Sequence, residues 1–163
     1  MKTTIRRSEP DDYIGVKKLY EQYSCYAGTL QLPYPSEANW KKKMSNESDN
    51  YYSLVAVRDN VIIGQIGMQV NTYPRRTHSA NIGMAVSEDN RKYGVGALLL
   101  KEMVLLANNW LAVTRIELEV YTDNEAAINM YKKQGFVEEG VAKSYAFRDG
   151  KYVDVKLMAK VSV

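Results

Sequence analysis

The stretch from Gly94 to Trp110 constrains this chain more than any other, because Lys101, Glu102, Asn108 and Asn109 are its only strongly polar side chains. A helix with so narrow a polar stripe buries most of its surface. It therefore needs partner elements on several sides, and the flanking sequence supplies them. His78 to Val86 reads as a strand before it, and Arg115 to Val120 as a strand after it. The second of these alternates cleanly, with Ile116, Leu118 and Val120 on one side and Glu117, Glu119 and Tyr121 on the other.

The remaining segments extend the same pattern. Thr3–Arg7 is a short strand, and Ser8–Asp12 supplies helix-start residues with acidic groups at the positive end of the dipole. Tyr13, Val16, Leu19, Tyr20 and Tyr23 then recur at helical spacing, predicting one helix. Gly28–Ser36 is a loop, and a second helix runs through Trp40 and Met44 with its three lysines on a solvated side. Tyr52–Val57 and Val61–Val70 form a hairpin about Asp59-Asn60. Asn124–Gln134 is a helix stopped by Gly135 in a left-handed cap, and Phe136–Ala142 and Tyr152–Val161 close the domain around the Arg148–Lys151 turn. The order β-α-α-β-β-β-α-β-α-β-β predicts a mixed α/β (α+β) fold over residues 1–163 as a single domain.

The balance of charge narrows the function. A net charge of +3 with scattered basic residues lacks the basic, aromatic-rich groove of a nucleic-acid binder. No apolar run is long enough to span a bilayer, and the N-terminus lacks a signal-peptide pattern. The one cysteine, Cys25, suits a reducing compartment, so a cytoplasmic location is expected. No His/Cys/Asp/Glu cluster has metal-ligand spacing, and no metal is expected. Thirteen tyrosines against two phenylalanines suit either half-wet cleft positions or a sheet rim.

The segment Arg91-Lys92-Tyr93-Gly94-Val95-Gly96-Ala97 joins a strand to the apolar helix. Glycine permits close backbone approach, and a helix N-terminus offers unpaired N–H groups to an anion such as pyrophosphate. The spacing matches neither a P-loop nor the dinucleotide fingerprint. Arg91-x-x-Gly94-x-Gly96 is instead similar to the Arg/Gln-x-x-Gly-x-Gly/Ala signature of GNAT N-acetyltransferases. Downstream, Asn124-x-x-Ala127-x-x-x-Tyr131-x-x-x-Gly135-Phe136 resembles that family's second block.

The resemblance implies a central, mostly antiparallel sheet of about seven strands flanked by about four helices, with acetyl-CoA held where a parallel strand pair splays. Its pyrophosphate would meet Arg91, Lys92, Tyr93, Gly94, Val95, Gly96 and Ala97, and its pantetheine arm Met84, Ala85 and Val86. Asn124, Ile128 and Tyr131 share a helical face. By resemblance Asn124 contacts the pantetheine arm, and Tyr131 is the acid that protonates the departing thiolate. Glu119 lies five residues before Asn124, where family members that acetylate ribosomal-protein N-termini carry their base. A solvated edge charge is the alternative reading of Glu119. His78 and Cys25 are expected to be structural.

The resemblance implies a small-molecule amine as acceptor, a free L-amino acid first. The Thr29–Ser36 loop with Trp40, the Tyr73–His78 turn and the Gly150–Asp154 ending resemble a bacterial subgroup described as L-amino-acid N-acetyltransferases. Leu32, Tyr34 and Glu119 would line the acceptor, and Arg75 would hold a carboxylate. Alternatives are a protein N-terminal or polyamine acetyltransferase and a catalytically silent acyl-CoA-binding module. Dimers are common in the family, so a homodimer is compatible with the resemblance.

Overall fold

The computed structural model of the chain describes residues 2–45 and 48–163. Seven strands form one sheet in the order β1-β2-β3-β4-β5-β7-β6. In chain order they are β1 (Thr4–Arg7), β2 (Tyr51–Arg58), β3 (Val61–Val70), β4 (Ser79–Val86), β5 (Arg115–Tyr121), β6 (Val137–Arg148) and β7 (Lys151–Val161). The helices among the described residues are α1 (Tyr13–Tyr20), α2 (Tyr23–Ala27), α3 (Glu37–Met44), α4 (Val95–Trp110) and α5 (Glu125–Lys133). The chain falls into two compact units, one of Met1–Gln69 with Gly83–Met103 and one of Val70–Ile82 with Val104–Val163.

In the first unit, Arg6 grips Asp12 through two bonds of 2.7 and 3.0 Å, and the Glu9 N–H donates to the same carboxylate, so the chain turns from β1 into α1. Asp59 and Asn60 both adopt left-handed backbone conformations at φ 50° and 63°. That pair makes a two-residue hairpin turn matching the strand twist, and it sets Arg58 opposite Val61. Beneath the strands, Val16, Leu19, Tyr20, Cys25, Trp40 and Met44 form the core with Val55 and Ala85. Tyr20 stacks on Trp40 with ring centroids 4.8 Å apart.

That core carries a polar thread. The Tyr20 hydroxyl donates to Gln65 Oε1 at 2.9 Å, and Gln65 Nε2 donates to Ser53 Oγ at 3.0 Å. Lys41, Lys42 and Lys43 are all exposed, as a solvated face requires, although the Lys43 ammonium also packs against aromatic rings. The Lys43 ammonium lies over the Trp40 ring at 5.0 Å and the Tyr51 ring at 5.4 Å, and burial holds its pKa below the ordinary lysine value.

In the second unit, α5 starts on Asn124, whose Oδ1 accepts from the Ala127 N–H at 3.2 Å. It ends where Gly135 takes φ 92° and the Phe136 N–H returns to the Tyr131 carbonyl at 3.0 Å, as the sequence predicts. β5 and β7 pair antiparallel from Arg115 opposite Val161 to Tyr121 opposite Val155. Asp149 and Gly150, at φ 51° and 77°, turn β6 into β7.

Two elements depart from expectation. The predicted first helix is broken at Glu21–Gln22 into α1 and α2, because Gln22 takes an extended conformation and its side chain bonds to Ser87 and Glu88 instead of continuing the helix. β6 runs to Arg148, well past Ala142, through a bulge between Ala142 and Ala146 opposite Asp154. There Ser144 takes φ 49°, and its N–H donates to Asp154 Oδ1 at 2.8 Å.

Gln65→Leu removes the acceptor for Tyr20 and the donor for Ser53 while keeping an apolar side chain of similar size. The expected loss is about 2 kcal/mol, the cost of stranding buried polar partners. Urea unfolding of parent and variant measures it, and the midpoint should fall at an unchanged slope.

Candidate active site

The first unit holds the glycine-rich segment. Lys92 and Gly94 both take left-handed backbone conformations, at φ 68° and 79°. Residues of alternating backbone hand in a turn can aim successive N–H groups into one concavity suited to an anion. A β-carbon added at Gly94, or at Gly83 on β4, would meet no atom within 4 Å, so bare backbone borders open space at both positions. Val95 is buried and anchors the first turn of α4, while Lys92 and Tyr93 are exposed. Gly96 and Ala97 lie half-buried behind them. These features fit a pyrophosphate held by main-chain donors.

Arg91 does something that its position in the motif does not foretell. Its Nε donates to the Val86 carbonyl at 3.2 Å, and its Nη2 lies 4.0 Å from the Cys25 sulfur. The Cys25 thiol donates to the same carbonyl at 3.4 Å. Arg91 therefore braces the end of β4, and the Val86 carbonyl is already engaged. Met84 is half-buried and Ala85 buried. Burial pushes the Cys25 thiol pKa upward, against the pull of Arg91, which makes it a poor nucleophile.

The acceptor loop belongs to the same unit. Leu32 and Tyr34 are 78% and 96% exposed, and Tyr34 adopts φ 57°.

The second unit holds the candidate proton-handling groups. The parallel ladder of β4 with β5 covers Ser79–Asn81 opposite Arg115–Glu117, while β5 continues to Tyr121. From that ladder the Asn81 amide donates to both oxygens of Glu119, at 3.0 and 3.2 Å. Glu119 is half-buried and oriented, which excludes a freely solvated edge charge. Glu117, two residues earlier on the same face, is bound up with Arg76 and Arg115, and Arg115 also grips Glu139.

Tyr131 is buried in α5, with its ring 5.6 Å from that of Phe136. Its hydroxyl makes no hydrogen bond among the described residues, and burial pushes its pKa well above the ordinary tyrosine value. Such a group keeps its proton at neutral pH and can donate it. Asn124 serves as the cap of α5, and Ile128 is buried. Of the two neighbouring arginines, Arg76 is committed to Glu117, whereas Arg75 is exposed and makes no ion pair among the described residues. His78 is exposed, and its carbonyl accepts from the N–H groups of Thr114 and Arg115.

Two residues beside Glu119 escape the sequence reading. Asn81 is the one amide in the otherwise small and apolar strand Ser79–Val86, a signal that was legible. Tyr145 sits in the β6 bulge, where Glu119 and Tyr121 together with burial raise its pKa. Nothing local in the sequence marks that bulge. Among the described residues, no helix is long and apolar enough to cross a membrane.

Comparison with known proteins identifies the family and the fold. The Acetyltransferase (GNAT) family matches residues 16–136. The chain is 40% identical over 157 residues to the L-amino acid N-acetyltransferase AaaT of Escherichia coli (strain K12), covering 96% of each sequence. A GNAT-family acetyltransferase of Streptococcus pneumoniae superposes with a TM-score of 0.87 at 27% identity, covering 99% of this chain and 100% of that one. A Sinorhizobium meliloti phosphinothricin acetyltransferase crystallised with AcCoA shares the fold at a TM-score of 0.87 and 21% identity, covering 99% and 90%.

Gly94→Val tests the glycine-rich segment. The cost of a branched residue at φ 79° is about 1–2 kcal/mol of stability, since no atom clashes with its β-carbon. Its side chain projects into the open space, so acetyl-CoA affinity should fall about ten-fold or more by calorimetry. Parent affinity in a folded variant would reject the assignment.

Proposed function

The chain belongs to the GNAT acetyltransferase family and is an N-acetyltransferase, and from that premise we propose that it moves the acetyl group of acetyl-CoA to the amino group of a free L-amino acid with an apolar side chain. The nearly full-length likeness to an L-amino acid N-acetyltransferase is the observation that carries the acceptor class. Residues 1–163 act as a single catalytic domain. A cytoplasmic setting fits the donor, the unpaired thiol of Cys25 and the lack of a membrane-crossing helix among the described residues.

The reaction runs by direct attack in a ternary complex. The amine starts mostly protonated near neutral pH, because an α-amino group has a pKa of about 8. Glu119 takes its proton, and the fixed bonds from Asn81 keep the carboxylate oriented for that step. The amine nitrogen then attacks the thioester carbon, a C–N bond forms and the C–S bond breaks. Tyr131 gives its proton to the departing sulfur, and the second proton shed by the nitrogen as the amide forms passes to solvent, from which the phenolate is reloaded. Main-chain groups from Arg91 to Ala97 hold the pyrophosphate, with Lys92 adding charge. The backbone of Met84, Ala85 and Val86, with Asn124 and Ile128, holds the pantetheine arm. Leu32 and Tyr34 wall the acceptor side chain, and Arg75 holds the acceptor carboxylate.

A protein N-terminal acetyltransferase is the second reading, and the oriented Glu119 is the observation that favours it. The two diverge on the carboxylate. Thiol release with acetyl-CoA across a panel of free amino acids, their amides, short peptides and polyamines separates them. On our reading the amides and peptides turn over at least about ten-fold more slowly, because a charge-assisted contact is lost. Arg75→Gln should erase most of that preference. Equal rates for acid and amide would favour peptide N-termini.

Tyr131→Phe and Asn81→Asp test the chemical roles. The first keeps the ring and removes the proton, and should lower kcat by about 10²-fold with acetyl-CoA affinity little changed. The second puts another carboxylate about where the amide now stands, 3.0 Å from Glu119. Two carboxylates that close resist ionising together. The carboxylate that must be ionised to accept the proton then forms at higher pH, so the low-pH limb of kcat/KM should move upward. A variant that loses the same factor at every pH would make Glu119 a positioning group and not a base.

A further inference from the structure

We propose that Glu88 caps α2 and through it fixes the acceptor wall, so that Glu88 and Ser24 are positioning residues for the acceptor although they touch neither substrate. The proposal rests on the reading of the Thr29–Ser36 loop as that wall.

α2 is five residues long, and a helix that short does not persist without support at its ends. Its preceding residue, Gln22, makes no side-chain bond to the helix it introduces. The support comes from a segment more than sixty residues away. The backbone N–H of Ser24 donates to Glu88 Oε1 at 3.1 Å, and the Ser24 hydroxyl donates to the same oxygen at 2.7 Å. In return, the Glu88 N–H donates to Gln22 Oε1 at 2.8 Å. This is the reciprocal logic of a capping box, assembled from two distant pieces of chain. The acceptor is a carboxylate at the positive end of the helix, which strengthens each bond. These bonds hold the Glu88 carboxyl pKa below its usual range, with Ser24 as the largest cause.

The other end of α2 is joined to the loop with equal economy. The Thr29 hydroxyl donates to the Cys25 carbonyl at 2.8 Å, the Gly28 N–H to the Ser24 carbonyl at 3.1 Å, and the Gln31 N–H to the Thr29 hydroxyl oxygen at 3.3 Å. Polar contacts thus run without a gap from Glu88 to Gln31, and Leu32 and Tyr34 follow directly. Glu88 lies between β4 and the glycine-rich segment, so the stretch that borders the donor also sets where the acceptor loop begins.

Hydrogen exchange and kinetics on Glu88→Ala, Glu88→Gln and Ser24→Ala test this. In Glu88→Ala the amides of residues 24–31 should exchange roughly five-fold faster, the scale of a lost helix cap. Glu88→Gln keeps an oxygen acceptor and should recover most of the protection. Acetyl-CoA affinity by calorimetry should stay within about two-fold, while KM for the best acceptor of the amino-acid panel rises about five-fold at near-parent kcat. Ser24→Ala removes one donor and gives a milder form of the same pattern should Glu88→Ala fail to fold. Unchanged exchange over 24–31, or faster exchange with an unchanged acceptor KM, overturns the proposal. Tyr34→Ala assigns the failure. If it raises the acceptor KM and the Glu88 variants do not, the cap has failed. If it too leaves KM at the parent value, the wall reading has failed and takes the proposal with it.

Discussion

A parallel strand pair has no hairpin to fix its length, so the point where its ladder stops is set by the side chains around it. Here β4 and β5 pair within the second unit at Ser79, Ala80 and Asn81, with Asn81 opposite Glu117. Asn81 is the residue whose amide reaches two residues along β5 to hold Glu119 by both oxygens. An amide can do this without supplying or withdrawing a proton. The same strand pair that aligns the backbones therefore also fixes the orientation of a carboxylate. On the first unit's side, the end of β4 is secured separately, by Arg91 and Cys25 converging on the Val86 carbonyl. A half-buried carbonyl with two lone pairs can take both partners. The arginine of the glycine-rich motif thereby serves the fold as well as the charge of the segment.

Local periodicity made much of this legible. The alternation of Ile116, Leu118 and Val120 with Glu117, Glu119 and Tyr121 assigns β5 and its faces correctly, because side-chain direction follows from residue parity alone. Gly135 and the Asn124 cap bound α5 for equally local reasons. What escaped depends on distant partners. Tyr13, Val16, Leu19, Tyr20 and Tyr23 keep helical spacing straight across Gln22, yet the helix breaks there, since the Gln22 side chain is committed to Ser87 and Glu88. Tyr23 lies past the break and is 53% exposed, whereas Leu19 and Tyr20 are core. The β6 bulge is likewise fixed from outside, by Asp154 receiving the Ser144 N–H and the Lys143 ammonium.

Charge tells a similar story. Arg75 and Arg76 are indistinguishable in sequence, but Arg76 joins a chain of ion pairs through Glu117 and Arg115 to Glu139 while Arg75 stays exposed. Exposed ion pairs contribute little stability one by one. Their value here is placement, since they tie the turn before β4 to β5 and β6. Lys43 shows another case, an exposed residue whose ammonium lies over two aromatic faces. The abundance of tyrosine follows from this mixture. Tyr20 closes a buried polar thread, Tyr131 is buried with its hydroxyl uncommitted, and Tyr93 and Tyr34 stand exposed on the two loops.

The environments of Tyr131 and Glu119 differ in the way that acid and base roles require. Sites that carry out proton transfer in both directions near neutral pH separate their two groups by surroundings more than by residue type. Tyr131 is buried beside the Phe136 ring, and desolvation raises its pKa, so it stays protonated across the physiological range. Glu119 lies half-buried with both oxygens met by an amide donor. The alternative nucleophile is removed by the same logic. Cys25 is 1% exposed, its thiol hydrogen is engaged by the Val86 carbonyl, and burial raises its pKa despite the nearby guanidinium. A thiol so placed does not form the thiolate that a covalent acyl-enzyme route demands. The direct transfer proposed above accordingly makes no use of Cys25.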